Sequence, residues 1–391
     1  MAAALLSTGL SILLGLALAE SAWALPTTPF LSHYWQWPLA LSRHPQPAWP
    51  AFERRLSAKA CALCHEAQAR AWRRSRHAQA MGPGVIAQLA VAGLRHKAFI
   101  QGCLSCHAPG GRQWRDVRAF LVSRGPLKGL ARQGVTCADC HVRHERRFGP
   151  PLAPYIAAGD VVHGGFTPES VFTRSRFCAV CHQFHKNGAR LDGVLLENTY
   201  QEWRASRYAR QRITCQSCHM PDGRHTFSGI HNPRFVRRAL TIRFSSRTTH
   251  GTVQARLSVT NSGVGHDFPT YTTPEVIVTV REICAHGVCP GSTRRLLIGR
   301  RISLNLRHQV FDTRIPPGAA RTLHYQAALA HGATALQGRI VVEPDAAYLR
   351  FFRAYLVRYA LNRGEHRAIV RALARDRRSA YVLWSRTRAL R

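Results

Sequence analysis

The sequence predicts two unlike halves and a tail: a mainly α-helical and irregular front, an all-β antiparallel sandwich behind it, and a helical C-terminal stretch. Three observations predict this. Ten of the 12 cysteines fall in five identically spaced units within the front half. Behind them, apolar and polar residues alternate with period two, and near the end aromatic residues recur at helical spacing. At 391 residues the chain is long enough for two ordinary domains.

Residues 1–19, MAAALLSTGLSILLGLALA, are almost entirely apolar, and AWA at 22–24 offers a small-x-small cleavage site. This reads as a secretory signal peptide over 1–24, with the mature chain starting near Leu25. The stretch has no Lys or Arg before its apolar run and approaches spanning length, so an uncleaved membrane anchor is the alternative. No other segment reads as a membrane span, and the rest of the chain is expected to be exported to the periplasm or cell surface. Residues 25–58 form an N-terminal extension.

The five units are CALCH (61–65), CLSCH (103–107), CADCH (137–141), CAVCH (178–182) and CQSCH (215–219). Two cysteines at i and i+3 lie on one side of a helical turn, placed to form thioethers with the two vinyl groups of a haem. The histidine that follows projects under the iron. A structural zinc site also uses Cys-x-x-Cys, but zinc does not require His directly after the second Cys in every unit. Five covalently bound haem c groups are therefore expected over residues 59–238. They would be attached through Cys61, Cys64, Cys103, Cys106, Cys137, Cys140, Cys178, Cys181, Cys215 and Cys218. The proximal ligands are His65, His107, His141, His182 and His219.

Distal ligands come from the remaining 16 histidines, because the chain has three methionines, one of them the initiator. Met81 and Met220 could serve at most two irons, so mostly bis-His ligation and low potentials follow. EAQARAWRRSR between His65 and His77 lacks Gly and Pro and predicts a continuous helix. Twelve residues of helix span about 18 Å, far more than the roughly 4 Å between two nitrogens on one metal. His77 therefore binds a different iron from His65, or none. His144 and His185 each lie three residues after a proximal His, on the same helix face, and are excluded from their own haems. Further distal candidates are His163 in DVVHGGF, and His225 and His231 just after the fifth unit. WRRSRHA (72–78) is repeated as WRASRYA (203–209), with Tyr208 standing where His77 stood. Trp72 and Trp203 are expected to pack, and Tyr208 to pack or hydrogen-bond rather than ligate.

From residue 239 the pattern changes. TVQARLSV, EVIVTV, RISLNL, RTLHYQA and GRIVVEP, punctuated by turn residues, predict a sandwich of six or seven strands over 239–345. CAHGVC (284–289) predicts a disulfide clipping a hairpin in an oxidising compartment; a metal site at His286 is the alternative. NSGVGHDFPT presents His266 at a tight turn, either as a surface residue or reaching across to cap a haem. In the tail, 346–391, Tyr348, Phe352, Tyr355 and Tyr359 recur at helical spacing among 12 Arg and two acidic residues. A basic helix packed on the rest is expected, against a membrane-surface helix.

The formal charge is +35, yet only four of the 55 basic residues are Lys: Lys59, Lys97, Lys128 and Lys186. That skew fits codon bias better than selection for phosphate contacts, and no nucleic-acid partner is expected. Redox proteins, acidic or membrane-bound, are the expected partners, with peripheral membrane association left open.

CHEAQARAWRRSRHA, CLSCHAP, GVTCADCH, FCAVCHQF, ENTYQEWRASRYA and TCQSCHMP resemble the multihaem cytochromes of the cytochrome c-554 and hydroxylamine-oxidoreductase-like group, over residues 59–235. The resemblance implies close-packed haems held by His pairs and a role in bacterial respiratory electron transfer, sometimes with one reactive haem. GHDFPT and the sandwich resemble a C-terminal β-domain of some exported multihaem cytochromes. Five haems differ from the four and eight of the best-known relatives. The pentahaem nitrite reductases carry a Lys in place of one proximal His, whereas every unit here ends in His. An electron carrier is thus expected. Its rivals are an oxidoreductase acting at one open haem on a small nitrogen or sulfur compound, and a docking subunit of a larger redox complex.

Overall fold

The computed structural model describes residues 29–42, 49–123, 125–151, 165–304, 308–359 and 361–390. The expected signal peptide, 1–24, and the candidate ligand His163 lie outside them. The front half is a succession of short helices. Among them are α1 (Ala58–Cys61), α2 (Glu66–Arg73), α3 (Pro83–Ala92), α4 (Lys97–His107), α5 (Gly111–Ser123), α6 (Cys137–His141), α7 (Arg176–His182), α8 (Thr199–Ala205), α9 (Cys215–His219) and α10 (Pro233–Ala239).

Four of the five Cys-x-x-Cys-His units end a helix on their histidine: α4, α6, α7 and α9. In α6 and α9 the preceding threonine starts the turn. Thr136 accepts from the backbone of Asp139 while Asp139 accepts from the backbone of Thr136, and Thr214 and Ser217 repeat the reciprocal cap. The N-terminal extension is laid along this region. Tyr34 Oη donates to the Cys140 carbonyl (2.7 Å), and Leu39 pairs with the backbone at Pro109 and Gly111.

The helix expected to run unbroken from His65 to His77 stops at Arg73. Arg73-Arg74-Ser75-Arg76 offers no apolar face to pay for another turn. A tertiary bond wins there, the Trp72 indole donating to the Val135 carbonyl (2.8 Å), and the chain closes in a local turn with Ser75 N donating to the Trp72 carbonyl (2.8 Å). His77 then begins a separate 3-10 turn, His77–Gln79.

Behind residue 239 the chain forms β1 (Leu240–Thr249), β2 (Thr252–Asn261), β3 (Glu275–Cys284), β4 (Arg294–Ile302), β5 (Gln309–Asp312), β6 (Ala320–Ala328) and β7 (Ala333–Glu343). All pairings are antiparallel. One sheet runs β6-β2-β1; the other runs β5-β4-β3-β7 and is completed by β8 (Tyr381–Ala389) beside β7. The alternating residues meet in one apolar core: Val253, Leu257 and Val259 from β2 with Val276, Val278 and Val280 from β3, and Leu336 and Ile340 from β7. Of RISLNL, Arg301 and Ile302 belong to β4, which ends at Ile302, and Asn305 and Leu306 lie outside the described residues. Cys284 and Cys289 form the expected disulfide.

The expected all-helical tail needs correction. α11 (Ala346–Arg358) and α12 (Arg363–Arg377) form and pack through Phe352, Ile369, Ala372 and Leu373 on Ala87 of α3. The last stretch instead returns as β8. With only Leu383 buried in an Arg-rich edge strand, its sequence carries little alternation.

Candidate functional site

The two copies of the Trp-x-x-Ser-Arg repeat dock in the same way. Each Trp donates to the carbonyl two residues before the first cysteine of a later unit: Trp72 to Val135, ahead of the third unit, and Trp203 to Ile213, ahead of the fifth (2.8 and 3.0 Å). Those same residues donate back, Val135 N to the His77 carbonyl (3.0 Å) and Ile213 N to the Tyr208 carbonyl (2.9 Å). The residue ahead of each is left-handed, Gly134 at φ +66° and Arg212 at φ +59°. At Gly134 an added Cβ would collide with the His77 carbonyl. The repeat is thus a device that fixes residue 77 against the Cys-x-x-Cys-His helix of the third unit and residue 208 against that of the fifth. Tyr208 uses its place to donate to the Ser262 carbonyl of the β-domain (2.9 Å), the hydrogen-bonding role expected of it.

His77 is fixed facing His182 of the fourth unit, with ring centres 6.1 Å apart. Two further pairs have the same spacing. His141 of the third unit faces His225 at 6.0 Å, and His219 of the fifth faces His266 at 6.3 Å. Two imidazoles sharing one metal, each through a nitrogen at about 2.0–2.1 Å from it and about 1.1 Å from its own ring centre, stand about 6.3 Å apart. Each pair therefore fits one iron between its rings. Among the described residues no group of three or more His, Cys, Asp or Glu side chains converges on a point. A protein-only zinc site would need such a group; a pair of axial ligands above and below a porphyrin does not.

The rings are held for this task. Nδ1 of His141 bonds to the Phe148 carbonyl (2.8 Å), that of His219 to Ser228 (2.6 Å), that of His225 to Gly223 (2.9 Å) and that of His266 to Asp267 (2.9 Å). His107 of the second unit bonds in the same way to Ala80 (2.7 Å). A proton fixed on Nδ1 leaves Nε2 free as the metal-binding atom. Burial, reinforced by neighbouring imidazoles, pulls His77 down to about 4 and His182 to about 3. Burial likewise takes His141 to about 4, against the bond to Phe148. The rings stay neutral at ordinary pH, as a ligand must.

His65 stands near His141 and His225 and adds to the lowering that burial imposes on both. No second imidazole stands opposite His107 among the described residues. His231 stands in none of these pairs: its Nε2 donates to the Asp345 carboxylate (3.0 Å), which also meets Arg76. His96, His144 and His185 are exposed, and Met81 is buried in an apolar cluster with Leu89 and Leu104. The units also neighbour one another. Cys61 lies close to Cys137, Cys106 to Cys181, and Cys178 to Cys215, linking first to third, second to fourth and fourth to fifth.

His266 comes from the β-domain. Gly265, ahead of it, lies against Trp203 and Tyr208, where a Cβ would be 3.1 Å from the Trp203 ring. Arg314 completes the seam, bonding Glu202 of α8 and Asp312 (both 2.8 Å). Sequence reasoning did not single out Tyr271, whose hydroxyl meets His182 Nδ1 at 2.5 Å. It stands five residues beyond His266, and no local pattern marks it.

Residues 60–142 match the family model described as cytochrome c554 and c-prime. The fold is similar to the crystal structure of a penta-heme cytochrome c552 from Thermochromatium tepidum, with a TM-score of 0.60 and 17% identity. The match covers 86% of this chain and 99% of that one. No curated protein matches the sequence.

Proposed function

We propose that this chain, a multihaem c-type cytochrome that binds haem c covalently and transfers electrons, carries five haems in one contiguous array and conducts between respiratory redox partners outside the cytoplasm. The observation that carries this is the set of three imidazole pairs, each joining a Cys-x-x-Cys-His unit to a histidine from elsewhere in the chain. His77 serves the fourth unit, His225 the third and His266 the fifth, opposite proximal His182, His141 and His219. The cysteines of each unit fix the porphyrin edge, and the carbonyl-bound Nδ1 atoms hold the rings in register. Haem supplies one-electron ferric/ferrous chemistry, which needs no proton or group transfer from the protein.

The wiring follows from which residues adjoin. His65 neighbours His141 and His225, and His77 neighbours His219 and His225. With the cysteine contacts above, all five units form one connected cluster. Residues 1–24 would direct export to the periplasm or cell surface. No helix among the described residues is long and apolar enough to cross a membrane. The charge of +35 favours acidic or membrane-bound redox proteins as partners.

Haem content and carbon monoxide binding test the reading. Five haems per chain, with at most one shifted by carbon monoxide after reduction, are expected; fewer than five, or several reactive haems, would overturn it. A second reading rests on His107. It meets no imidazole among the described residues, which do not include His163, and this makes the second unit the candidate for an open haem acting on a small nitrogen or sulfur compound. A single carbon monoxide shift lost with the second unit would favour it.

A further inference from the structure

We infer that Tyr271, supplied by the β-domain, is the positioning residue of the proximal ligand His182 and sets the potential of the fourth unit's haem alone. The inference rests on the ligand reading above and adds a residue and a domain to it. Among the described residues, six histidines of the candidate ligand set are hydrogen-bonded at Nδ1. Five meet backbone carbonyls: Ala80, Phe148, Ser228, Gly223 and Asp267. His182 differs, since its Nδ1 meets the phenol of Tyr271 at 2.5 Å.

The difference has consequences. A backbone carbonyl is present whatever the side chain, whereas a phenol can be gained, lost or moved. With Nε2 committed to iron, Nδ1 carries the proton and donates, so the Tyr271 oxygen accepts and its own hydrogen is free to be donated onward. The Thr199 hydroxyl, which itself donates to Glu197 (2.6 Å), lies close to the phenol. The loop is braced from both domains: Thr270 Oγ1 donates to Glu202 (2.8 Å) and contacts Thr199 Oγ1 (2.7 Å), while Arg314 donates to the Thr270 carbonyl (3.0 Å). Tyr271 is therefore held on His182 rather than resting there by chance.

An acceptor on Nδ1 makes an imidazole a stronger donor to its metal, and a stronger axial donor favours the ferric form and lowers the potential. Removing the acceptor raises it.

The test is Tyr271→Phe in the full, haem-loaded chain, followed by a redox titration read optically and by electron paramagnetic resonance. One midpoint of five is expected to move upward together with one altered low-spin signal, haem content and the other four midpoints being unchanged. Combining it with His77→Ala should abolish that shifted low-spin signal, which places it at the fourth unit. Five low-spin haems with five unmoved midpoints would overturn the inference and leave the ligand reading intact. Fewer than five haems in the parent chain would instead overturn that reading. Should Tyr271→Phe fail to fold, Thr199→Val keeps the phenol and removes its onward partner. A smaller upward shift at the same haem supports the inference, and no shift there counts against it.

Discussion

The two halves solve the problem of an interior in opposite ways. The β-domain closes around one apolar core of 19 buried residues drawn from both sheets. Among the described residues the front half has no counterpart: its buried apolar residues are split among clusters of ten, five and five, with a further five shared with the tail helices. Between those clusters lie histidine rings and cysteines from different units. A β-sheet interior is specified by side chains alone, whereas the front half arranges its side chains around something else. On the proposed reading, binding the cofactor and folding are one process for the front half.

That contrast can be broken experimentally. The largest expected effect is from blocking haem attachment altogether. The front half should then become accessible to protease, leaving a resistant fragment covering the β-domain, roughly residues 239–390. Equal resistance of both halves without haem would refute the contrast. Next in size is Leu257→Ala in the β-domain core, where Leu257 is fully buried. It should cost about 2–5 kcal/mol, seen as a lower melting temperature of the sandwich strands with the haem absorption spectrum unchanged.

A smaller effect is expected where the halves meet. Burial pushes the Asp345 carboxyl upward, but the hydrogen bond from His231 and the charge of Arg76 outweigh it and hold the group below its usual value. A depressed carboxylate contributes stability that is complete above its unfolded value of about 3.9 and is lost as pH falls through the lower folded value. Asp345→Asn should therefore cost about 1–3 kcal/mol at neutral pH and flatten the acid limb of a melting-temperature profile below about pH 4. An unchanged acid limb would show that Asp345 contributes nothing there.

Much of this was legible in the sequence, unevenly and for physical reasons. The Cys-x-x-Cys-His units could be read because attachment demands contiguous residues. His266 could be noticed because a glycine turn presents it, and the strands because burial on one face forces alternation. Pairing could not be read: His77 meets a residue 105 positions later, and what brings them together is the break after Arg73 and the left-handed Gly134. His231 looked like its neighbour His225 until Asp345, 114 residues on, took its nitrogen. The strand β8 was missed because its neighbours supply the pairing while its own exposed arginines hide the pattern. Local chemistry shows in a sequence; partnerships made by tertiary contact do not.

The account turns on imidazoles reaching across units, and His77→Ala tests it most directly. In the haem-loaded chain, electron paramagnetic resonance and carbon monoxide binding should show five irons retained, one low-spin centre lost, and a new site open to carbon monoxide. Five unaltered low-spin centres would contradict it, because His77 would then coordinate nothing.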